Sequence, residues 1–387
     1  MDLASKTYQR WALIAGGLAG IATIAALFFV NLTVFFQFYL VAYMFWFDLT
    51  AGGFILAMLH YLTGGDWGFA VRRNLEASAK NMWLMAILFI PILLGLAYLY
   101  PWVGAGTSFG ENAYIGFRHT YLSVPFFIGR AVVYFALWLF MLTLLTRWAP
   151  DPSYTFGPQN RGRFQAASAL GLIIFIITMS FASADWLMSL QPEWFSTAFG
   201  LLILTGQTMG GLAFAILVLT QVSGERPLAK YLTPRVIRDV GAILLTAVMS
   251  WAYIAFSQLL IIWSGNLPRE TVWYIDRIQD GWQWVGIAVV ALQFGVPFLV
   301  LISLRAKQSP LILAGLSIII LVTRLLDYYW QIVPAFFPTG LYVHWVVLFE
   351  LVAIGGFWLA AYLWNFNRTP LVLPSLPPLP KTSDTIP

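Results

Sequence analysis

Long apolar runs separated by short polar clusters organise this chain from end to end. Taking about twenty apolar residues as one crossing of a bilayer, the runs predict ten helices, at 11–30, 38–62, 82–99, 123–146, 166–190, 196–222, 237–264, 281–304, 310–333 and 341–364. The first run ends at Asn31-Leu32-Thr33 without a small-x-small cleavage site and leads into a second apolar run, so it reads as a retained helix. The polar stretch 72–80 precedes the third run without a strong break and is expected to extend it along the interface. Beyond the last run the chain turns Pro-rich, with Pro370, Pro374, Pro377, Pro378 and Pro380, a composition suited to an extended tail, free or docked on a partner. The expected organisation is a polytopic domain over residues 1–366 and a tail over 367–387.

Composition turns this pattern into a membrane assignment. Sixty per cent of the residues are hydrophobic, 10% are charged and the mean hydropathy is +0.80, values that do not describe a soluble domain. The 18 Trp and 17 Tyr are rings with one polar edge, the kind that collects at the two headgroup levels. The fold class expected is therefore an all-α integral membrane protein of ten transmembrane helices, its partner the lipid bilayer.

Charge orients it. An even number of crossings leaves both termini on one side. Of the 21 Lys and Arg, 16 fall on that side, 3 (Arg118, Arg269 and Arg277) on the other, and Arg130 and Arg324 within the runs. By the positive-inside rule the termini are cytoplasmic. The basic residues are scattered through short loops and form no long run, which excludes a nucleic-acid partner. The absence of cysteine excludes thiolate-held iron–sulfur clusters, disulfides and covalently attached c-type haem on this chain.

Candidate chemistry lies in the charges inside the apolar runs: Asp48, Asp185, Asp327, Glu350, Arg130 and Arg324. A charge in hydrocarbon costs roughly 2.5 kcal/mol or more at a helix centre, so such residues face a bundle interior and mark an ion, proton or substrate route. At a rise of about 1.5 Å per residue, Asp48, Glu350 and Arg324 fall near mid-membrane, Arg130 and Asp327 nearer the outside, and Asp185 at the outer interface. The inner half is expected to hold only neutral polar groups such as Thr178, Ser180 and Ser317, with His60 at its boundary.

Arg324 and Asp327 share a helix face, which allows a local ion pair; such a pair is either a clasp between helices or part of a route. Asp48 and Glu350 have no partner nearby in sequence, and an unpaired acid in hydrocarbon suits proton carriage. Gln207 and Gln293, near mid-depth, either extend a hydrogen-bonded path or join helices. Asp185 suits a helix-end or loop-anchoring role. The histidines His60, His119 and His344 are spread over both sides, which disfavours a haem or a metal site. The spacings Gly16-x3-Gly20 and Gly206-x3-Gly210 are those of close helix packing.

An internal echo suggests duplication. Asp185-Trp186 is followed by Pro192 and Trp194-Phe195, and Asp327-Tyr328 by Pro334 and Phe336-Phe337, at equal offsets from the aspartate. Four helices separate the two segments, as two four-helix bundles with two further helices would require.

The segment Ser183-Ala-Asp-Trp-Leu-Met-Ser-Leu-Gln-Pro-Glu-Trp-Phe-Ser-Thr-Ala-Phe-Gly200, the aromatic second helix ending in Asp48-Leu-Thr-Ala-Gly-Gly53, and the ten-helix layout resemble the polysulfide reductase NrfD-type membrane subunits. The resemblance covers the whole chain and is strongest to the smaller of the two such subunits in alternative complex III, a quinol oxidoreductase. It implies a bacterial inner-membrane location. The implied partners are a larger NrfD-type paralogue, a periplasmic iron–sulfur and molybdopterin-like subunit, c-type cytochrome subunits and small membrane subunits. Haem c and iron–sulfur clusters would then sit in the partners, with no cofactor on this chain, whose role would be structural or proton-conducting through Asp48, Asp327 and Glu350.

Two other readings stay open. A stand-alone proton-coupled transporter also calls for buried charges and a duplicated bundle. A quinone-binding anchor would use an acid near the outer leaflet and an aromatic wall, with Asp185 and His344 as contacts.

Overall fold

The computed structural model describes residues 2–103, 120–148, 161–222 and 232–369. Arg118, His119, Arg226, Lys230, Lys381 and the prolines of the tail lie outside the described residues. Among those described, every regular element is helical: α1 (Asp2–Ala26), α2 (Leu32–Thr63), α3 (Asp66–Ala79), α4 (Met82–Leu88), α5 (Ile90–Leu94), α6 (Leu96–Leu99), α7 (Val124–Trp148), α8 (Arg161–Trp186), α9 (Phe199–Val222), α10 (Pro234–Gly265), α11 (Pro268–Ile275), α12 (Trp282–Val289), α13 (Val296–Leu301), α14 (Leu304–Lys307), α15 (Pro310–Ile332) and α16 (Val346–Arg368). Nine segments among the described residues are long and apolar enough to cross a membrane, and the chain is a multi-pass, all-α membrane protein. The first helix, α1, is not one of the nine.

The helices pack as two groups of four spans. The first comprises α2, the broken α4–α6 segment, α7 and α8; the second comprises α9, α10, α12–α13 and α15. The most buried spans are α2 and α9, which meet between the groups. Their crossing needs glycine: a Cβ at Gly52 would stand 1.9 Å from the Gln207 carbonyl oxygen, and one at Gly211 2.6 Å from the Gly52 carbonyl carbon. Each partner sits in a Thr-x-Gly-Gly sequence, Thr50 to Gly53 and Thr208 to Gly211. To one side, α1 lies along α16, with Gly16 against Gly356.

Several boundaries differ from the sequence pattern, each for a local reason. The second span starts at Leu32, not 38, because the Asn31 side chain accepts from the Thr33 amide (2.8 Å) and caps it. The last starts at Val346, not 341, so His344 precedes the helix, its Nδ1 accepting from the Val346 amide (3.3 Å). The eighth span carries a π turn, Val290–Gly295, between α12 and α13.

The largest correction concerns α3. It extends the third span, which runs Asp66–Leu94, as expected, but is packed within the bundle against α2, α9, α10 and α16. Its polar groups can enter because each finds a partner. Asn74 donates to the Ala215 carbonyl (3.2 Å) and Asn81, just after the helix, to the Trp358 carbonyl (2.9 Å). Arg72 pairs with Glu76, to which Tyr61 also donates (2.5 Å).

Candidate functional site

Asp48 is the seventeenth residue of the 32-residue α2 and is fully buried at its centre. It finds its partner on α15. The Asp48 Oδ1 accepts from Arg324 Nη2 at 2.6 Å and from the Tyr328 hydroxyl at 2.7 Å. The other guanidinium arm of Arg324, Nη1, donates to Asp327. Asp327 in turn accepts from Gln331 Nε2 (2.8 Å) and Gln293 Nε2 (3.4 Å), the latter side chain carried on the π turn. Two acids thus share one guanidinium in an apolar interior, a group whose net charge goes from −1 to 0 when it binds one proton.

Residues of one α15 face build this group. Arg324, Asp327, Tyr328 and Gln331 stand at i, i+3, i+4 and i+7, the spacing that stacks side chains on one side of a helix. Room for it comes from α9. A Cβ on Gly206 would stand 2.5 Å from the Arg324 guanidinium, and one on Gly210 2.0 Å from Asp48 Oδ2. The Gly206-x3-Gly210 spacing therefore admits charged side chains rather than a neighbouring backbone, whereas Gly16 does pack on the backbone of Gly356.

Hydrogen bonds run on from this group to the end of the bundle that holds Asn31 and Gln191. The Gln331 carbonyl accepts from Arg277 Nη2 (2.7 Å), Arg277 Nη1 donates to Gln191 Oε1 (3.1 Å), and Gln191 Nε2 donates to Asp276 (2.7 Å), which is partly exposed. Arg277 is itself buried. Its other donors meet the Trp273 and Trp330 carbonyls at 2.7 and 3.2 Å, and its guanidinium faces the Trp273 ring. It thereby caps the carbonyl ends of α11 and α15. Burial pulls this guanidinium below its ordinary range, to about 9, with Asp276 and Tyr274 acting in the opposite direction.

Toward the other end, polar groups succeed one another through the interior. Trp358 Nε1 donates to Thr50 (2.8 Å), Asn365 to Asn81 (3.1 Å) and the Tyr362 hydroxyl to Asn74 (3.0 Å), before the Arg72–Glu76–Tyr61 group. This half of the bundle is therefore not confined to neutral groups such as Thr178 and Ser317: it contains a buried ion pair, carried by α3.

Arg130 belongs to a different cluster. It grips Asp185 with two bonds, Nε to Oδ2 and Nη2 to Oδ1, both 2.8 Å, while Tyr134 donates to Oδ2 at 2.9 Å. Its remaining arm donates to the Tyr121 carbonyl (2.8 Å), and its plane lies over the Tyr121 ring. This joins α7 to the end of α8 and makes no bond to Asp48.

The remaining candidates stand apart. Gln207 is buried, its amide 3.7 Å from the Met179 sulfur. Glu350 is buried on α16 with neither oxygen hydrogen-bonded. His344 stacks in an aromatic group with Phe38 and Tyr342 at one end of the bundle, far along the fold from His60, which is enclosed by Trp67 and Phe69. Among the described residues no cluster of three or more His, Cys, Asp or Glu side chains is placed to hold a metal ion.

Sequence reasoning missed Tyr328, Gln331 and Arg277 as members of the central network. The i+4 and i+7 positions after Arg324 carried the signal for the first two. Nothing local marked Arg277. No protein-family model matches the chain, and no curated protein matches it either.

Proposed function

We propose that this chain is the smaller NrfD-type membrane subunit, ActF, of an alternative complex III in a bacterial inner membrane. It crosses the bilayer ten times, with α1 as the tenth crossing and both termini cytoplasmic. It binds no redox centre of its own and borrows electron chemistry from its partners. Its contribution is to hold the assembly and to conduct protons through the Asp48–Arg324–Asp327 triad. The family assignment rests on the Ser183 to Gly200 segment and the Asp48 to Gly53 segment.

One observation carries the proton reading: the succession of hydrogen-bonded residues from Asp48 through Arg324, Asp327, Gln331, Arg277 and Gln191 to Asp276, which passes at Gln331 from the side-chain amide to the backbone carbonyl. In the proposed orientation it opens to the outer side. Ionisable residues within a membrane-spanning bundle are costly and are kept where a charge or proton must be handled.

A pull-down of the full chain in mild detergent, with haem staining and mass spectrometry, tests the assembly. Co-purifying c-type haem and an iron–sulfur protein are expected. A lone, haem-free chain would overturn the assignment and leave the stand-alone transporter.

A further inference from the structure

Glu350 takes no part in the triad, and its surroundings differ from those of every other acid buried in the bundle. It is fully buried, and both carboxyl oxygens lack a hydrogen-bond donor. Asp48, Asp185, Asp327 and Glu76 each hold an arginine; Glu350 forms no ion pair among the described residues. On its own helix it is flanked by Val346, Val347, Ala353 and Ile354.

The elements packed on α16 supply no counter-charge. On α2 the titratable group in electrostatic reach is the Tyr39 phenol, and its hydroxyl donates to the Leu88 carbonyl (2.8 Å). Asp48, further along α2, is committed to Arg324. On α1, Lys6 and Arg10 lie beyond the Gly16–Gly356 contact, on the side away from Glu350. On α3, Arg73 reaches the Phe366 carbonyl (2.6 Å), and Lys80, just after that helix, reaches Thr369. Phe366 is sixteen residues from Glu350 along α16, about 24 Å at the helical rise. The α4 helix has no titratable side chain, and His344 uses Nδ1 on the Val346 amide.

We infer that Glu350 is held as a neutral carboxylic acid, a proton-binding site separate from the Asp48–Arg324–Asp327 triad, and that among the buried acids of the described residues its O–H is the one a hydrophobic carbodiimide takes. The carboxylate form would place a bare charge in an apolar interior, while the neutral form leaves only dipoles unsatisfied. A carbodiimide reacts with such an acid by addition. The carboxyl proton passes to one nitrogen of the N=C=N group as the carboxyl oxygen bonds to its central carbon. The acyl group then migrates from that oxygen to nitrogen, giving a stable N-acylurea with no leaving group. Asp185, whose two oxygens accept from Arg130 and Tyr134, offers no free O–H for this step.

The test uses the full chain in its native membrane and does not depend on electron transfer or proton translocation, so its failure and that of the proposed function are distinguishable. Infrared difference spectra compare wild type with Glu350→Gln, a neutral replacement of nearly equal shape. Loss of a carboxylic-acid C=O band is expected, with the same band kept in Asp48→Asn. Loss of carboxylate bands instead would overturn the inference. Dicyclohexylcarbodiimide followed by peptide mass spectrometry gives a second reading: an adduct on Glu350 and none on Asp185 is expected, and equal labelling of both would overturn it.

Discussion

Asp185 and Asp327 occupy matching places in the internal echo, yet their surroundings diverge. Asp185 ends α8 with a two-pronged arginine from α7 and a tyrosine hydroxyl, a closed set of bonds that ties two helices of one bundle. Asp327 shares its arginine with a second acid from the other bundle, and Asp48 Oδ2, Arg324 Nε and Gln293 Oε1 in that group are buried without partners. A saturated pair holds its geometry. A triad with spare donors and acceptors can be rearranged, which is what moving a proton requires.

Removing each arginine breaks the comparison most forcefully. Arg324→Leu leaves two buried acids without a cation and should lower stability by about 3–5 kcal/mol, in line with breaking a buried pair. Arg130→Leu strands one acid that keeps its tyrosine bond, and should cost less. Thermal unfolding in detergent orders the two, and Asp185→Asn should restore more of the Arg130→Leu loss than Asp48→Asn restores of the Arg324→Leu loss.

Steric change on α9 comes next. Gly206→Ala should cost about 1–3 kcal/mol, because its methyl group meets the Arg324 guanidinium in a packed interior. Among the described residues no comparable glycine guards the Arg130 pair. Arg277→Leu uncaps the Trp330 and Gln331 carbonyls and should cost about 1–3 kcal/mol, seen as a lower melting temperature. The smallest effect is expected for Gln293→Leu, which removes one long bond to Asp327; a change of about 1 kcal/mol or less is predicted from the same melting curves.

The sequence made the class of fold and the buried charges readable, because apolar runs and the cost of charge in lipid are local properties. The Arg324–Asp327 pair was equally visible, since both ends share one helix. Asp48 was not assignable to Arg324, because that bond joins residues 276 apart and depends on how α2 and α15 meet across α9. The burial of α3 was hidden for a related reason. A polar stretch with Arg72, Asn74, Glu76 and Asn81 looks interfacial until the carbonyls and side chains that satisfy it are in place. Glycine spacing misled in the same way, as one motif serves backbone contact at Gly16 and a charged side chain at Gly206.

The most direct measurement is the number of protons translocated per electron by the assembled complex in liposomes, with wild type, Asp48→Asn and Asp185→Asn side by side. Asp48→Asn should lower the ratio while quinol oxidation continues, and Asp185→Asn should leave the ratio unchanged. An unaltered ratio in Asp48→Asn, with quinol oxidation intact, would contradict proton conduction through the triad.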